Sequence, residues 1–159
     1  METSFYLCEK CGNLIVKVKD SGIKPFCCGS VMTLLIPEIR EEELGEKHIP
    51  CCEIKGRKIC VKVGETIHPS SEEHRIEWVY LQTDKGGQLR YFKVGEEPVT
   101  KFKVQDGEKV EAVYAFCNLH GLWKCDCSKQ FEEAQKETVS ACDTECDTKH
   151  GSECNSEGC

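Results

Sequence analysis

Cysteine placement constrains this chain more than any other feature. Cys8-Glu9-Lys10-Cys11-Gly12 and Cys27-Cys28-Gly29 put four thiols within residues 1 to 36, a span too short to bury a core that holds itself together. A CxxC followed by a second cysteine pair has metal-ligand spacing, so a bound ion has to organise this unit. Each pair is followed by a glycine, which takes positive φ readily and lets backbone amides turn toward a sulfur. Tetrahedral sulfur suits zinc or iron, and spacing leaves that choice open. Between the pairs, Leu14-Ile15-Val16-Lys17-Val18 reads as a strand.

Fourteen cysteines in 159 residues would suggest disulfide staples in an exported chain. Met1-Glu2-Thr3-Ser4 has neither the basic nor the apolar part of a secretion signal, and no apolar run approaches the ~20 residues of a membrane span. A cytoplasmic chain with reduced, metal-binding thiols is therefore expected. The net charge of -7 is uneven: residues 124 to 159 carry nine acids and four lysines, leaving 19 acids against 17 bases for the rest. With a pI near 5.3 and no basic stripe among the aromatics, neither nucleic acid nor a membrane is expected as a partner.

After Pro37 the acidic run from Glu38 to Gly45 reads as a surface linker. From Glu46 to about Trp123 short alternating segments are punctuated by turns. Glu53-Ile54 and Lys58 to Val63 flank Lys55-Gly56-Arg57; in the segment from Arg75 to Leu81, the residues Ile76, Trp78 and Tyr80 share a face. Lys85-Gly86-Gly87 and Asp106-Gly107 read as hairpin turns between Leu89 to Val94, Val99 to Val104 and Val110 to Phe116. In the last of these, Val110, Ala112, Tyr114 and Phe116 alternate with Glu111, Val113 and Ala115. About seven such strands predict an all-β, immunoglobulin-like antiparallel sandwich following the small N-terminal unit.

The loops of that sandwich collect the chemistry. His48, His68, His74 and His120 all fall at strand ends or in loops, and Cys117 ends the last alternating segment, three residues before His120. A rigid strand end is where a loop places reactive groups. Imidazoles with one thiolate suit iron, copper or zinc. Zinc prefers four ligands, so five candidates favour iron with one open coordination position.

Five motifs then carry a family resemblance over residues 5 to 123: Phe5-Tyr6-x-Cys8-x-x-Cys11-Gly12-Asn13; Cys27-Cys28-Gly29-x-x-Met32; Glu46-Lys47-His48-Ile49-Pro50; Val63-Gly64-x-x-x-His68-Pro69 to His74 with Ile76-Glu77-Trp78; and Cys117-Asn118-Leu119-His120-Gly121-Leu122-Trp123. Together they resemble the desulfoferrodoxins, two-iron superoxide reductases. The resemblance implies a desulforedoxin-like FeCys4 centre at Cys8, Cys11, Cys27 and Cys28. It also implies a catalytic iron held by His48, His68, His74 and His120 with Cys117 axial. Glu46 would occupy the sixth position when that iron is oxidised, and Lys47 would face the open site. The implied activity is one-electron reduction of superoxide to hydrogen peroxide, fed by a small carrier such as rubredoxin, in a homodimer. The other reading is a non-catalytic electron-transfer or metal-binding module. Domain limits follow: 1–37 for the first centre, 38–45 for the linker, 46–124 for the sandwich and 125–159 for a cysteine-rich acidic tail.

That tail holds Cys125, Cys127, Cys142, Cys146, Cys154, Cys159 and His150, with a short helix expected over 128 to 137 capped by Ser128. It reads as a solvated segment with incidental thiols, a second metal-loading site, or a redox-active stretch that forms disulfides. Cys51, Cys52 and Cys60 read as small core residues.

Overall fold

The computed structural model describes residues 3–39 and 45–140, with side chains except at 45, 46 and 137–140. Five short strands build the N-terminal unit: β1 (Ser4–Leu7), β2 (Leu14–Lys17), β3 (Phe26–Cys27), β4 (Ser30–Val31) and β5 (Thr33–Leu34). β2-β1-β5 form one sheet and β3-β4 a two-stranded ribbon. Its own buried core consists of Tyr6, Cys8 and Met32, too little apolar area to hold some 35 residues, as the cysteine spacing required.

One turn of helix, α1 (Gly45–His48), leads into the sandwich. β6 (Pro50–Lys55), β7 (Lys58–Val63) and β10 (Val99–Lys103) form its first sheet, in the order β10-β7-β6. β8 (Ile76–Thr83), β9 (Gly86–Tyr91), β11 (Val110–Cys117) and β12 (Gly121–Asp126) form the second, in the order β12-β11-β8-β9. These are the seven strands of an all-β sandwich. Val61, Val63, Val79, Leu81, Val113 and Ala115 are fully buried between the sheets. Each of the larger ones contributes about 1.5–3 kcal/mol by leaving water.

The second sheet is covered on both faces. Trp78 stacks between Phe5 of β1 at 5.2 Å and Phe116 at 5.4 Å, so the N-terminal unit docks on the face that Tyr80 and Tyr114 share. Glu38 is exposed, as expected of a surface linker, and its backbone pairs in parallel with Trp123; its N–H donates to the Leu122 carbonyl at 2.8 Å.

Several sequence expectations are corrected here. Register shifts at both ends of β11 turn Val110 and Ile76 into the inter-sheet core with Val113 and Val79, away from the faces that strict alternation assigned them. Asp106-Gly107 joins β10 to β11, which lie in different sheets, so it is a crossover rather than a hairpin; Arg57 fixes it with a 2.7 Å ion pair to Asp106. β12 extends the sandwich to Asp126. The helix α2 (Ser128–Ser140) follows, and Phe131 anchors it in the core. Asp126 caps this helix, accepting from the Ser128 N–H at 2.9 Å and its hydroxyl at 2.6 Å. Those bonds hold the Asp126 carboxyl below its usual range.

Among the small cysteines, Cys51 is exposed and Cys60 lies on the β7 face opposite Ile59 and Val61. Cys52 sits at the core edge, disulfide-bonded to Cys127. Cys52 is therefore a bonded cysteine rather than a small free core residue, and Cys127 takes the disulfide-forming option left open for the tail.

Candidate metal centres

The first centre forms where two tight turns face one another. The Cys8–Gly12 turn is closed by Gly12 N–H on the Cys8 carbonyl at 2.8 Å, and the β3-β4 ribbon carries Cys27 and Cys28. Gly12 and Gly29 take φ of +74° and +78°, and Cys28 itself sits at +48°, a region few side chains tolerate without a constraint such as a ligand bond. The four sulfurs lie within 4.8 Å of one another. Cys11 to Cys27 is 3.7 Å and Cys27 to Cys28 is 3.8 Å. Metal–sulfur bonds of about 2.3 Å in a tetrahedron separate sulfurs by about 3.8 Å, whereas a disulfide needs about 2.05 Å. The spacing fits an ion.

Electrostatics agrees with the geometry. Backbone N–H groups from Cys11 and Lys10 bring the Cys8 thiol down to about 7. Crowding by Cys11, Cys27 and Cys8 pushes Cys28 up to about 12. Four thiolates so close cannot all ionise without a cation to offset them.

The second centre draws on three chain segments. α1 ends in His48, the β7–β8 connection supplies His68 and His74, β11 ends in Cys117, and the β11–β12 turn carries His120. The four imidazoles form a closed circuit. Ring centroids are 4.6 Å apart from His48 to His68, 4.4 Å to His74, 4.8 Å on to His120 and 4.7 Å back to His48. Each neighbouring pair is close to perpendicular, and the His48–His74 diagonal is longer at 5.8 Å. That is the plan of four ligands at the corners of a square.

Ligand-capable atoms of His48, His74, Cys117 and His120 lie within 4.8 Å of one another. His68 falls outside this tighter set, yet it belongs to the site by its ring contacts and its chemistry. Its Nδ1 is 2.7 Å from the Pro69 carbonyl, which only accepts, so Nδ1 carries the proton and Nε2 keeps its lone pair. The Nε2 atoms of His68 and His74 are buried without a hydrogen-bond partner. An unpaired buried nitrogen costs about 1–3 kcal/mol, a penalty that a metal bond removes. His120 Nδ1 stands 3.0 Å from His48 Nε2, the separation of two nitrogens bound at right angles with bonds of about 2.1 Å. The donor set fits a metal.

Cys117 is fully buried. Burial raises its thiol pKa, and amides of Leu119 and His120 directed at its sulfur work against that. Trp123 stacks on His48 at 4.8 Å and 19°, fixing that ring from behind. Lys47 is exposed, and its charge acts on His74, whose pKa is lowered first by burial, then by His120 and then by Lys47. The Glu46 side chain lies outside the described residues, as do Cys142, Cys146, Cys154, Cys159 and His150.

Two residues that organise the site carried no role in the sequence reading. Asn118 Oδ1 accepts from the Arg75 N–H at 2.9 Å, while its Nδ2 donates to the carbonyls of Glu72 and Glu73 at 3.2 and 3.1 Å. It therefore staples the His74 loop to the Cys117 turn; Asn between two ligands in a turn was the available signal. Gly64 has φ +79°, and a Cβ there would sit 2.5 Å from the Lys47 carbonyl oxygen and 2.7 Å from that of Thr66. Gly64→Ala is expected to cost about 2 kcal/mol or more and to lower iron occupancy at the histidine site. Iron per chain and Tm check this, and values equal to the parent's would contradict it.

Burial drives the His68 pKa down to about 4, and His74 is lowered too. The unfolded imidazole titrates near 6.5. Between about 6.5 and 4 the unfolded chain therefore binds protons that the folded chain refuses, and stability falls as pH drops through that window. Tm of the metal-free chain is expected to decline over this range. A Tm that holds or rises on acidification would contradict neutral, ligand-ready rings.

Comparison with known proteins matches this architecture. The desulfoferrodoxin family model matches residues 40–126. A desulfoferrodoxin homologue of Archaeoglobus fulgidus is 39% identical over 120 residues, covering 75% of this chain and 93% of the relative. The desulfoferrodoxin of Nitratidesulfovibrio vulgaris is 35% identical over 121 residues, covering 76% and 94%. The crystal structure of the superoxide reductase from Treponema pallidum superposes with a TM-score of 0.67 at 34% identity, covering 79% of this chain and 98% of that one. With its four-sulfur cluster, its four-histidine circuit beside a buried cysteine and these matches, the chain belongs to the desulfoferrodoxin family.

Proposed function

We propose that this chain is a two-iron superoxide reductase that converts superoxide and one electron, with two protons, into hydrogen peroxide. The observation that carries this reading is the square of His48, His68, His74 and His120 with buried Cys117 beside it. Iron bound there supplies the one-electron couple and an open coordination position. Every other contribution comes from the chain. Burial keeps His68 and His74 neutral, so Cys117 supplies the only anionic ligand among the described residues of the site, and the Leu119 and His120 amides temper its electron donation.

The substrate is an anion and the chain carries a net charge of -7, so long-range steering opposes encounter. Lys47, exposed and within electrostatic reach of His74, is the local cation that offsets this. Glu46, next to it, is assigned the sixth position in the oxidised state on the family pattern alone. Cys8, Cys11, Cys27 and Cys28 hold the other iron. We assign residues 1–37 to that centre and 38–45 to the connection. The catalytic sandwich begins at residue 46 and reaches Asp126 with β12.

Exposed Val18, Ile23, Phe26 and Ile36 on the N-terminal unit support a homodimer joined through these units. A small one-electron carrier of the rubredoxin type is the proposed donor, in the cytoplasm; no helix among the described residues is long and apolar enough to cross a membrane. Stoichiometry tests the reading. Reduction yields one hydrogen peroxide per superoxide, with matching donor oxidation and no oxygen. Dismutation would yield half as much peroxide with oxygen release, and a non-catalytic module would leave the superoxide decay rate unchanged.

A further inference from the structure

We propose that Cys52, Cys125 and Cys127 form a second redox site, a thiol–disulfide couple that locks α2 onto the sandwich and takes hydrogen peroxide as its oxidant. The family match ends at Asp126, one residue before Cys127, so this site lies at the junction with a segment the family model does not include. Cys127 is fully buried at the start of α2, with its N–H on the Glu111 carbonyl at 3.1 Å. Its sulfur is bonded to Cys52 of β6, 75 residues away. The bond thus crosses from the edge of one sheet to the end of the other.

A third thiol is in place. Cys125 Sγ lies 4.0 Å from Cys127 Sγ, and Cys125 is half-buried, as is Cys52. The two flanking residues keep some solvent exposure while the central one is sealed. Three sulfurs in contact around one shared member make an exchange-competent group.

Closing the bond balances as follows. The Cys52 thiolate attacks one oxygen of hydrogen peroxide, the O–O bond breaks, and the departing hydroxide takes a proton to become water. The Cys127 thiol then attacks the resulting sulfenic sulfur, the S–O bond breaks, and a second water leaves. Two thiols are oxidised by two electrons and one peroxide is reduced. In exchange, Cys125 loses its proton, attacks Cys127 Sγ, and Cys52 leaves as the thiolate that accepts that proton. A dithiol reductant returns the pair to thiols and is itself oxidised to a disulfide. With the bond open, α2 is held by Phe131 in the core and by Gln135 Nε2 on the Gly56 carbonyl at 2.9 Å.

The source of the peroxide rests on the superoxide reductase reading; the couple itself does not. The test uses the full iron-loaded chain, treated with added hydrogen peroxide or with dithiothreitol, alkylated, and mapped by peptide mass spectrometry without reduction. The expected result is a Cys52–Cys127 linked peptide that peroxide forms and dithiothreitol removes, with a Tm roughly 10 °C higher when linked. In C125S the linked peptide still forms, but its exchange is at least tenfold slower. C52S is expected to lose the linkage and keep both iron spectra and superoxide turnover. Absence of the linked peptide after peroxide treatment, or an identical Tm in both states, would overturn the couple. If added peroxide closes the bond but superoxide turnover does not, the couple stands and the catalytic site is not its oxidant source.

Discussion

Replacing Cys117 with serine is expected to lower superoxide turnover about 100-fold or more while leaving the Cys8, Cys11, Cys27 and Cys28 centre intact. Changes to groups that merely orient a metal ligand already cost about 10–100-fold, and Cys117 is proposed as a ligand itself. A serine hydroxyl in that fully buried position would stay protonated, leaving the four imidazoles without the thiolate donor. The visible thiolate-to-iron absorption of the histidine site should vanish with the activity. A variant that kept this absorption would show that Cys117 does not bind the iron.

Replacing Lys47 with alanine acts on encounter rather than on the metal. About a tenfold loss in the second-order rate with superoxide is expected, at the low end of what local charge focusing supplies. Iron content should stay unchanged, because the pinned part of Lys47 is its backbone against Gly64. The parent rate should fall as salt screens the lysine. In the variant that dependence should flatten or reverse, because removing one cation takes the parent's net charge of -7 to -8, which repels the substrate. Rates measured by pulse radiolysis across ionic strength check this, and an unchanged rate would remove Lys47 from the site.

The residues gathered into the two candidate metal centres were legible in the sequence because their chemistry is rare and locally spaced. Cys8 and Cys11 fall in one turn, Cys117 and His120 in another, and no alternating run contains His48, His68 or His74. The sandwich was legible because period-2 alternation survives in the centres of β7, β8 and β11. What failed was non-local. The shifts that turn Val110 and Ile76 inward depend on how β11 pairs with β8, which neither strand records alone. Lys124, Cys125 and Asp126 are too polar to read as a strand, yet β11 supplies their partners, with Ala112 opposite Asp126. Asn118 reads as an ordinary turn residue until the His74 loop folds onto it. The Cys52–Cys127 pairing joins residues 75 apart, and cysteine connectivity is not deducible from spacing. Chemistry concentrated in short motifs was readable, whereas register and long-range pairing needed the fold.

Anomalous diffraction at the iron absorption edge, from anaerobically grown crystals, tests the two-iron arrangement most directly. Two iron peaks per chain are expected: one among the sulfurs of Cys8, Cys11, Cys27 and Cys28, the other at bonding distance, about 2.1 Å from nitrogen, from His48, His68, His74 and His120, with Cys117 on one side and an open position on the other. A second peak that left His68 or Cys117 unbound, or no iron within the four-histidine circuit, would contradict it.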